Sequence, residues 1–270
     1  MNEPKIGLEI HARLLTKTKM FCSCENRFGE KPNTLVCPIC LGLPGVLPNI
    51  NKRAVELGII TAKLLNCEID NTLYFDRKNY RYPDLPKGYQ ITQRRHPLGV
   101  NGQFCGVRIR EIHIEEDAGK LSHDRSRNVS LVDYNRAGTP LVEIVTEPDL
   151  VSGEQVQQFL KSLRDMLLEN EISDCKMQEG SLRFDVNVSC GSNKTEIKNI
   201  NSFKFARIAV NYEIDRQREI IASGKEVESE TRGYDEKSKS TFKMRSKESN
   251  EDYLYIEEPD VIPIDISSCL

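Results

Sequence analysis

Two closely spaced cysteine pairs near the start of the chain constrain its fold more than any other feature. Cys22 and Cys24 form the first pair, and Cys37 and Cys40 follow after twelve intervening residues. Two cysteines so close in sequence can bind the same ion from a single turn of the chain. Together the two pairs supply four thiolates, which suit one tetrahedral zinc ion. No secretory signal precedes them, which favours a cytoplasmic protein with reduced thiols over a disulfide framework. The spacing therefore predicts a small zinc knuckle at about residues 20–42.

Length and composition are those of an ordinary globular protein. The chain has 270 residues, of which 38% are hydrophobic and 29% charged. It can therefore bury a substantial core, as one large domain or two small ones. It contains no apolar run long enough to cross a bilayer, so no membrane partner is expected. The net charge of −3 gives no general sign of nucleic-acid binding, so any contact with RNA has to come from local patches.

Apolar residues at spacings of three and four predict three helices. These lie at residues 50–65, 152–167 and 202–222. The second begins with Ser152 and Gln155, which resemble a capping box. The third is followed by Ser223 and Gly224, a helix-ending signal.

Strands are predicted between these helices. Apolar and polar residues alternate over 182–189, and 141–145 form an apolar run. The order of elements predicts an α+β fold with an antiparallel or mixed sheet and packed helices. The polar segment 225–252 is predicted to form a mobile hairpin or a surface excursion.

Acidic residues recur inside the predicted strands. Glu9 and His11 share one face of the strand 6–11. Further carboxylates lie in or beside apolar segments, at Glu115, Glu116, Glu143 and Asp185. Because a carboxylate buried without a partner is costly, these acids either share a cation, for which magnesium fits, or are unrelated surface groups. The residues alone leave both interpretations open.

The segment 75–90 combines basic residues, tyrosines and prolines. It is either a long ordered loop with packed tyrosines or a loop that contacts phosphate or RNA, with Lys78 and Lys87 as point charges. The sequence has neither a G-x-x-x-x-G-K-[ST] loop nor a G-x-G-x-x-G motif. If ATP is used, another type of fold binds it.

Several long strings identify a family. They include Phe75-Asp-Arg-Lys-Asn-Tyr80, Tyr82-Pro-Asp-Leu-Pro-Lys-Gly-Tyr-Gln90 and His113-Ile-Glu-Glu-Asp-Ala-Gly-Lys120, together with residues 132–145, 177–183 and 196–202. These strings closely resemble the B subunit of tRNA-dependent amidotransferases, the GatB/GatE family. The resemblance extends from Ile6 to Pro263, and strings of this length do not follow from composition.

The resemblance implies a GatB/GatE-type catalytic cradle and a ligase reaction. The family's enzyme, GatCAB, is a heterotrimer that uses glutamine as the amido donor in forming a carbon–nitrogen bond. Its B subunit uses ATP and magnesium to phosphorylate the side-chain carboxylate of Glu-tRNA(Gln) or Asp-tRNA(Asn). Ammonia from the glutaminase A subunit then displaces the phosphate, which is a far better leaving group than a hydroxide-like oxygen. The implied partners are the A and C subunits and misacylated tRNA.

The resemblance also implies site residues. The magnesium cleft falls on Glu9, His11, Glu115 and Glu116, with Glu143 and Asp185 as further catalytic candidates. Lys78, Lys87 and Lys198 are expected to contact the cofactor. The cysteine knuckle occurs in only some members of the family, so its assignment rests mainly on the spacing of the four cysteines.

Some features depart from the family pattern. Leu254 stands where arginine is usual, and Gly233 replaces a common basic residue. Residues 1–270 are expected to form only the catalytic cradle, without the helical and tail domains that grip tRNA, so we expect docking to the A subunit with weak tRNA binding. Two alternatives are a zinc-stabilised partner-binding module with a decayed cleft and an archaeal E-subunit-type cradle.

Overall fold

A computed structural model describes residues 3–124, 126–246 and 253–270, in which runs of strands separate three helices. The helices are α1 (Lys52–Leu64), α2 (Gly153–Glu169) and α3 (Phe203–Ala222). The strands are β1 (Lys5–Arg13), β2 (Glu68–Ile69), β3 (Thr72–Leu73), β4 (Asp76–Asn79), β5 (Tyr89–Thr92), β6 (Gly99–Phe104), β7 (Val107–Glu116), β8 (Lys120–Asp124), β9 (Val129–Asp133), β10 (Pro140–Thr146), β11 (Leu182–Ser189), β12 (Thr195–Lys198), β13 (Glu230–Asp235), β14 (Ser240–Ser246), β15 (Leu254–Glu257) and β16 (Ile264–Asp265). Short 3₁₀ turns cover Met177–Glu179 and Ser267–Cys269. The predicted α+β class is confirmed.

Each helix begins at a polar side chain that accepts a hydrogen bond from the first turn. Asn51 accepts from the amide of Ala54 in α1, Ser152 caps α2 and Ser202 caps α3. These caps satisfy amides that have no partner inside the helix. All three predicted helices are confirmed, with ends that differ from the predictions by at most a few residues.

The chain forms two compact units. Unit 1 comprises the described residues of 1–12, 101–111 and 144–249, and unit 2 those of 13–100, 112–143 and 250–270. Four of these boundaries fall within β1, β6, β7 and β10, so each of these strands contributes residues to both units.

Unit 1 is a mixed sheet with two helices. Its strands run in the order β14-β13-β12-β11-β1, followed by the parts of β10, β7 and β6 that belong to this unit. β12 and β13 are parallel, whereas β11 pairs antiparallel with both β1 and β12. Helices α2 and α3 pack closely at Gly153, where a Cβ atom would lie 2.3 Å from the carbonyl oxygen of Arg207. The mixed sheet with packed helices agrees with the prediction.

The segment 225–252 differs in part from its prediction. It forms a hairpin, β13–β14, as expected, but β13 is a buried strand in register with β12 and not a surface excursion. Its charged side chains are paired: Arg232 Nη1 lies 2.8 Å from Glu230, and Arg216 also pairs with Glu230. The charged composition of this segment therefore wrongly suggested that β13 would lie at the surface. Residues 247–252 of this segment lie outside the described residues.

Unit 2 contains α1, the knuckle segment and several small sheets. β15, β4 and β5 form one three-stranded sheet, while β16 pairs with β3 and β8 with β9. The face of α1 that carries the predicted apolar spacing is buried, at Ala54, Leu57, Gly58, Thr61 and Ala62. No helix in the described part of either unit is both long and apolar enough to span a bilayer.

Candidate functional site

The four predicted cysteines converge in unit 2. Their sulfur atoms all lie within 4.8 Å of one another. Cys22 and Cys40 are buried, and Cys24 and Cys37 are half-buried. A tetrahedral zinc ion with Zn–S bonds of about 2.3 Å places its sulfurs roughly 3.8 Å apart, so only a small contraction is needed. The donor set therefore fits a structural zinc ion.

Cys40 is the cysteine whose surroundings best stabilise a thiolate. Its sulfur accepts a hydrogen bond from the amide of Cys37 at 3.2 Å and one from Lys19 Nζ at 3.7 Å. The hydrogen bond with Cys22 lowers the pKa of Cys40 and raises the pKa of Cys22. Burial raises the pKa of Cys24 to about 11. A bound cation would favour the deprotonated form of Cys22 and Cys24, whose pKa values are raised in its absence.

A pocket of about 220 Å³ lies beside the knuckle. Its walls include Cys22, Cys40 and Gly42 from the knuckle, and Lys87 and Glu116 opposite them. Lys87 Nζ forms a close ion pair with Glu116, whose carboxylate also accepts from the amide of Ile91 at 3.0 Å. The predicted cofactor-binding residue Lys87 is thus held by a carboxylate in a cavity that also touches the cysteine site.

Glu115 lies in a separate polar group of unit 2. Its carboxylate accepts a hydrogen bond from Thr92 at 2.9 Å. Adjacent strand residues face opposite ways, so Glu115 and Glu116, which the sequence suggests as a pair, do not share one face. Burial by itself lowers the pKa of Lys78, but the charges of Glu115 and Glu143 contribute to a net rise.

Glu143 lies beside a histidine, which forms an ion pair with it when the imidazole is protonated. His113 Nδ1 donates to the carbonyl oxygen of Gln93 at 2.8 Å, and His113 Nε2 lies 2.8 Å from a carboxylate oxygen of Glu143. Because a carbonyl oxygen can only accept, the ring orientation is set by the Gln93 contact. The sequence alone showed no partner for Glu143 inside its apolar run, and the structure places a ring nitrogen of His113 beside it.

In unit 1, polar side chains from three neighbouring strands form a second group, the polar ladder: Glu9 on β1, Asp185 and Asn187 on β11, and Glu196 and Lys198 on β12. Glu9 stands directly opposite Asp185 in the sheet register, and Asn187 stands opposite Glu196. Carboxylate oxygens of Glu9, Asp185 and Glu196 lie within 4.8 Å of one another.

Hydrogen bonds orient each carboxylate of the polar ladder. Asn187 Nδ2 donates to Glu9 at 3.0 Å, and Thr231 donates to Glu196 at 3.0 Å. Lys198 Nζ pairs closely with Asp185 and lies 3.2 Å from Glu196. Burial by itself lowers the pKa of Lys198, but these two carboxylates outweigh it and raise the pKa. The oxygen donors fit a hard cation such as magnesium, with Lys198 already balancing part of their charge.

The predicted magnesium ligands and the further catalytic candidates are distributed over both units. Glu9, His11 and Asp185 belong to unit 1, where His11 stands opposite Arg183. Glu115, Glu116 and Glu143 belong to unit 2. That Glu9, His11, Glu115 and Glu116 share one magnesium cleft stays a prediction.

The structure shows the surroundings of Leu254 and Gly233, the two residues that depart from the family pattern. Leu254 is 65% exposed, and its carbonyl oxygen accepts from Asn79. Gly233 lies under the ring of Phe242, where a Cβ atom would be 2.5 Å from Cζ. A larger side chain at position 233 therefore requires the Phe242 ring to move.

Sequence reasoning missed three residues of these sites. Lys19 is fully buried although its neighbours Lys17 and Thr18 give no sign of burial. Glu196 could have been found, because it alternates with Lys198 on a strand. Gly42 lies beside the second cysteine pair, and its left-handed φ of +66° and its close approach to Lys87 show why glycine stands there.

Known proteins match this chain over nearly its whole length. Residues 4–270 match the family model described as the GatB/GatE catalytic domain. A curated relative from Caldicellulosiruptor saccharolyticus is 53% identical over 277 residues, and one from Ruminiclostridium cellulolyticum is 49% identical over 280. Both are named as the B subunit of an aspartyl/glutamyl-tRNA(Asn/Gln) amidotransferase. The alignments cover 97% and 98% of this chain but 58% of each relative, so the chain spans less than two thirds of their length.

Proposed function

Because the chain belongs to the GatB/GatE catalytic domain family, we propose that it acts as the B-subunit catalytic domain of a tRNA-dependent amidotransferase. It transfers a phosphoryl group from ATP to the side-chain carboxylate of Glu-tRNA(Gln) or Asp-tRNA(Asn), and ammonia then displaces phosphate to give the amide. The observation that carries this proposal is identity of about half over nearly the full chain to relatives named as the B subunit of such an enzyme. Those names favour this function over a partner-binding module or an E-subunit-type cradle.

The polar ladder supports a role in phosphoryl transfer. Asn187 and Thr231 hold the carboxylates of Glu9 and Glu196 in fixed orientations. Lys198 keeps a positive charge beside Asp185, which suits a ligand that carries phosphate. When bound, magnesium offsets the negative charge of the transferring phosphoryl group.

Unit 2 supplies further cationic and acidic groups for the same function. Lys78 lies 4.6 Å from the ring centre of Tyr253, and Lys87 faces the pocket beside the knuckle. Both are candidates for contacts with ATP or with the phosphates of tRNA. Glu115 and Glu143 are candidates for cation binding, and His113 orients Glu143.

We assign a structural zinc ion to the knuckle. The complete enzyme also needs a glutaminase partner. Zinc held by four cysteines leaves no open coordination position, so its role is to stabilise the fold. Ammonia has to come from glutamine hydrolysed by the A subunit, with the C subunit completing the heterotrimer. These partners follow from the proposed reaction and from the family resemblance.

The reaction can be tested directly with purified components. The chain is mixed with the A and C subunits, ATP, glutamine and a tRNA charged with glutamate or aspartate. Hydrolysis of ATP that depends on the misacylated tRNA, with formation of the amide, is the expected result. ATP turnover of equal rate with uncharged tRNA, or none with any tRNA, contradicts the proposal.

A variant of the polar ladder tests the site. Glu9→Gln keeps the size of the side chain and removes its charge, so it is expected to abolish ATP-dependent activation while the far-UV circular dichroism spectrum stays unchanged. Glu169→Gln is the matched control, because Glu169 is exposed at the end of α2 in the same unit. Equal ATP turnover in the two variants removes Glu9 from the catalytic site.

A further inference from the structure

Lys19 is a fully buried charged side chain at the cysteine site. Its exposed fraction is 0%. Its ammonium donates to the carbonyl oxygens of Leu35 at 2.8 Å and Tyr134 at 3.2 Å, and to the sulfur of Cys40 at 3.7 Å. An ammonium group has three N–H donors, so each donor has an acceptor.

A negative charge nearby would offset the cost of burying this ammonium further than hydrogen bonds alone. Moving a charged group out of water is costly unless an opposite charge or a full set of hydrogen bonds replaces the solvent. Of the three acceptors, two are neutral carbonyl oxygens, and only the sulfur of Cys40 can carry a full charge. The geometry thus matches a lysine beside a thiolate.

Four thiolates around one divalent ion carry an excess of negative charge. We propose that Lys19 is the counter-cation of the four-cysteine zinc site, and that it raises the affinity of the site for zinc by donating a hydrogen bond to Cys40. This inference rests on the zinc site of the proposed function. Partners of this kind, outside the direct ligands, orient the ligands and tune the metal.

Hydrogen bonds between the surrounding loops hold the carbonyl acceptors of Lys19 in place. The amide of Leu35 donates to the side chain of Asn135 at 2.8 Å, and the amide of Asn33 donates to Asp133 at 3.0 Å. These bonds join the segment before Cys37 to the segment around Tyr134, whose carbonyl groups accept from Lys19. The two loops that supply carbonyl acceptors to Lys19 are therefore tied to each other, which lowers the entropy cost of keeping its ammonium beside Cys40.

The test compares zinc affinity in variants of the full chain. Lys19→Gln removes the charge but keeps two N–H donors for the carbonyl oxygens. Lys19→Met removes both the charge and the donors. Lys17→Met is the matched control, because Lys17 is exposed two residues away. Zinc content is measured by elemental analysis, and affinity by competition with a chromophoric chelator. We expect Lys19→Gln and Lys19→Met to bind zinc about 10- to 100-fold more weakly and Lys17→Met to match the unmodified chain.

The outcomes distinguish failure of the zinc site from failure of the lysine's role. An unmodified chain that holds no zinc contradicts the zinc site itself. A chain that holds one zinc, with the Lys19→Gln variant binding it equally well, overturns the role of Lys19 and leaves the zinc site standing. In a Cys40→His background, the effect of Lys19→Gln is expected to shrink, because a neutral imidazole replaces the thiolate.

A measurement without substitutions keeps the inference testable if both Lys19 variants fail to fold. Amine-directed labelling followed by peptide mass spectrometry reports the reactivity of each lysine with zinc bound and after chelation. We expect chelation to raise labelling of Lys19 far more than labelling of Lys17. Equal labelling of Lys19 in the two states overturns the inference.

Discussion

Single residues around the knuckle combine backbone conformation with close packing, and Gly42 shows both. Its φ is +66°, and a Cβ atom there would lie 2.4 Å from Cγ of Lys87. We expect Gly42→Ala to destabilise the protein by more than the ~1–2 kcal/mol typical of a left-handed L-residue, because Lys87 must also move. Gly45→Ala is the control, since Gly45 has φ +87° and nothing within 4 Å. Equal shifts in urea midpoint for the two variants contradict the packing argument.

Asp76 gives a prediction that depends on pH. Burial by itself raises the pKa of this carboxyl, but hydrogen bonds from the amides of Arg95 and Arg94 and from the Arg95 side chain outweigh it, and the net pKa is lowered. The carboxylate therefore stabilises the fold above its unfolded pKa of about 3.9, and this contribution is lost as pH falls through its folded pKa.

We expect Asp76→Asn to cost about 1–3 kcal/mol at neutral pH, because a buried charged acceptor of several hydrogen bonds is lost. The difference from the unmodified chain should shrink as pH falls below about 4. Urea unfolding across this range measures it, with Asp165→Asn on the exposed side of α2 as control. A difference that stays constant or grows at low pH shows that the carboxylate charge is not the cause.

Residues of the sites were predictable where strand alternation placed them. Glu9 and His11 lie on the more exposed face of β1, opposite the buried Leu8 and Ile10, as the period of two requires. Lys19 was not predictable, because its burial depends on the carbonyl group of Tyr134, far away in sequence. Local pattern reports which face a side chain takes, whereas the partners that make burial of a charge tolerable come from tertiary contacts.

At the level of elements, the cap of α2 can be tested with a control inside the same helix. Ser152 accepts a hydrogen bond from the amide of Gln155 at 3.3 Å. Ser152→Ala is expected to destabilise the protein by about 1 kcal/mol, because an amide of the first turn loses its acceptor. Ser162→Ala makes the same chemical change in the middle of α2, where alanine is the better helix former, so no loss is expected. Thermal unfolding of both variants decides, and equal losses reject the capping role.

The helices were predictable because apolar residues recur at helical spacing in each, and because Ser152 with Gln155 marks the start of α2 and Ser223 with Gly224 the end of α3. The hairpin β13–β14 was predicted only in part. Its partner β12 lies more than thirty residues earlier, and parallel pairing of Glu196 with Thr231 leaves no local pattern in the sequence. Burial of Glu230 in β13 is tolerable because Arg232 and Arg216 each pair both with Glu230 and with Glu213. Non-local ion pairs of this kind cannot be read from hydropathy.

For the whole molecule, the division into two units predicts that the effect of losing zinc is local. The four cysteines all belong to unit 2, whereas α2 and α3 belong to unit 1. The binding free energy of a structural zinc ion is also folding free energy for the segment that holds it. When such an ion is removed, segments with few apolar contacts of their own unfold locally before the rest of the protein.

Chelation of zinc is therefore expected to speed amide hydrogen exchange in residues 19–43 and in the segment around Tyr134, whose carbonyl group binds Lys19. Exchange in α2 and α3 should change little, because their cores of buried Val156, Phe159, Ala206 and Val210 do not depend on the knuckle. Mass spectrometry of peptic peptides before chelation, after it, and after zinc is restored measures both regions in one sample. Acceleration of equal size in the two helices shows that the metal stabilises the chain as a single cooperative body, whereas no acceleration in the knuckle shows that its fold does not need the ion.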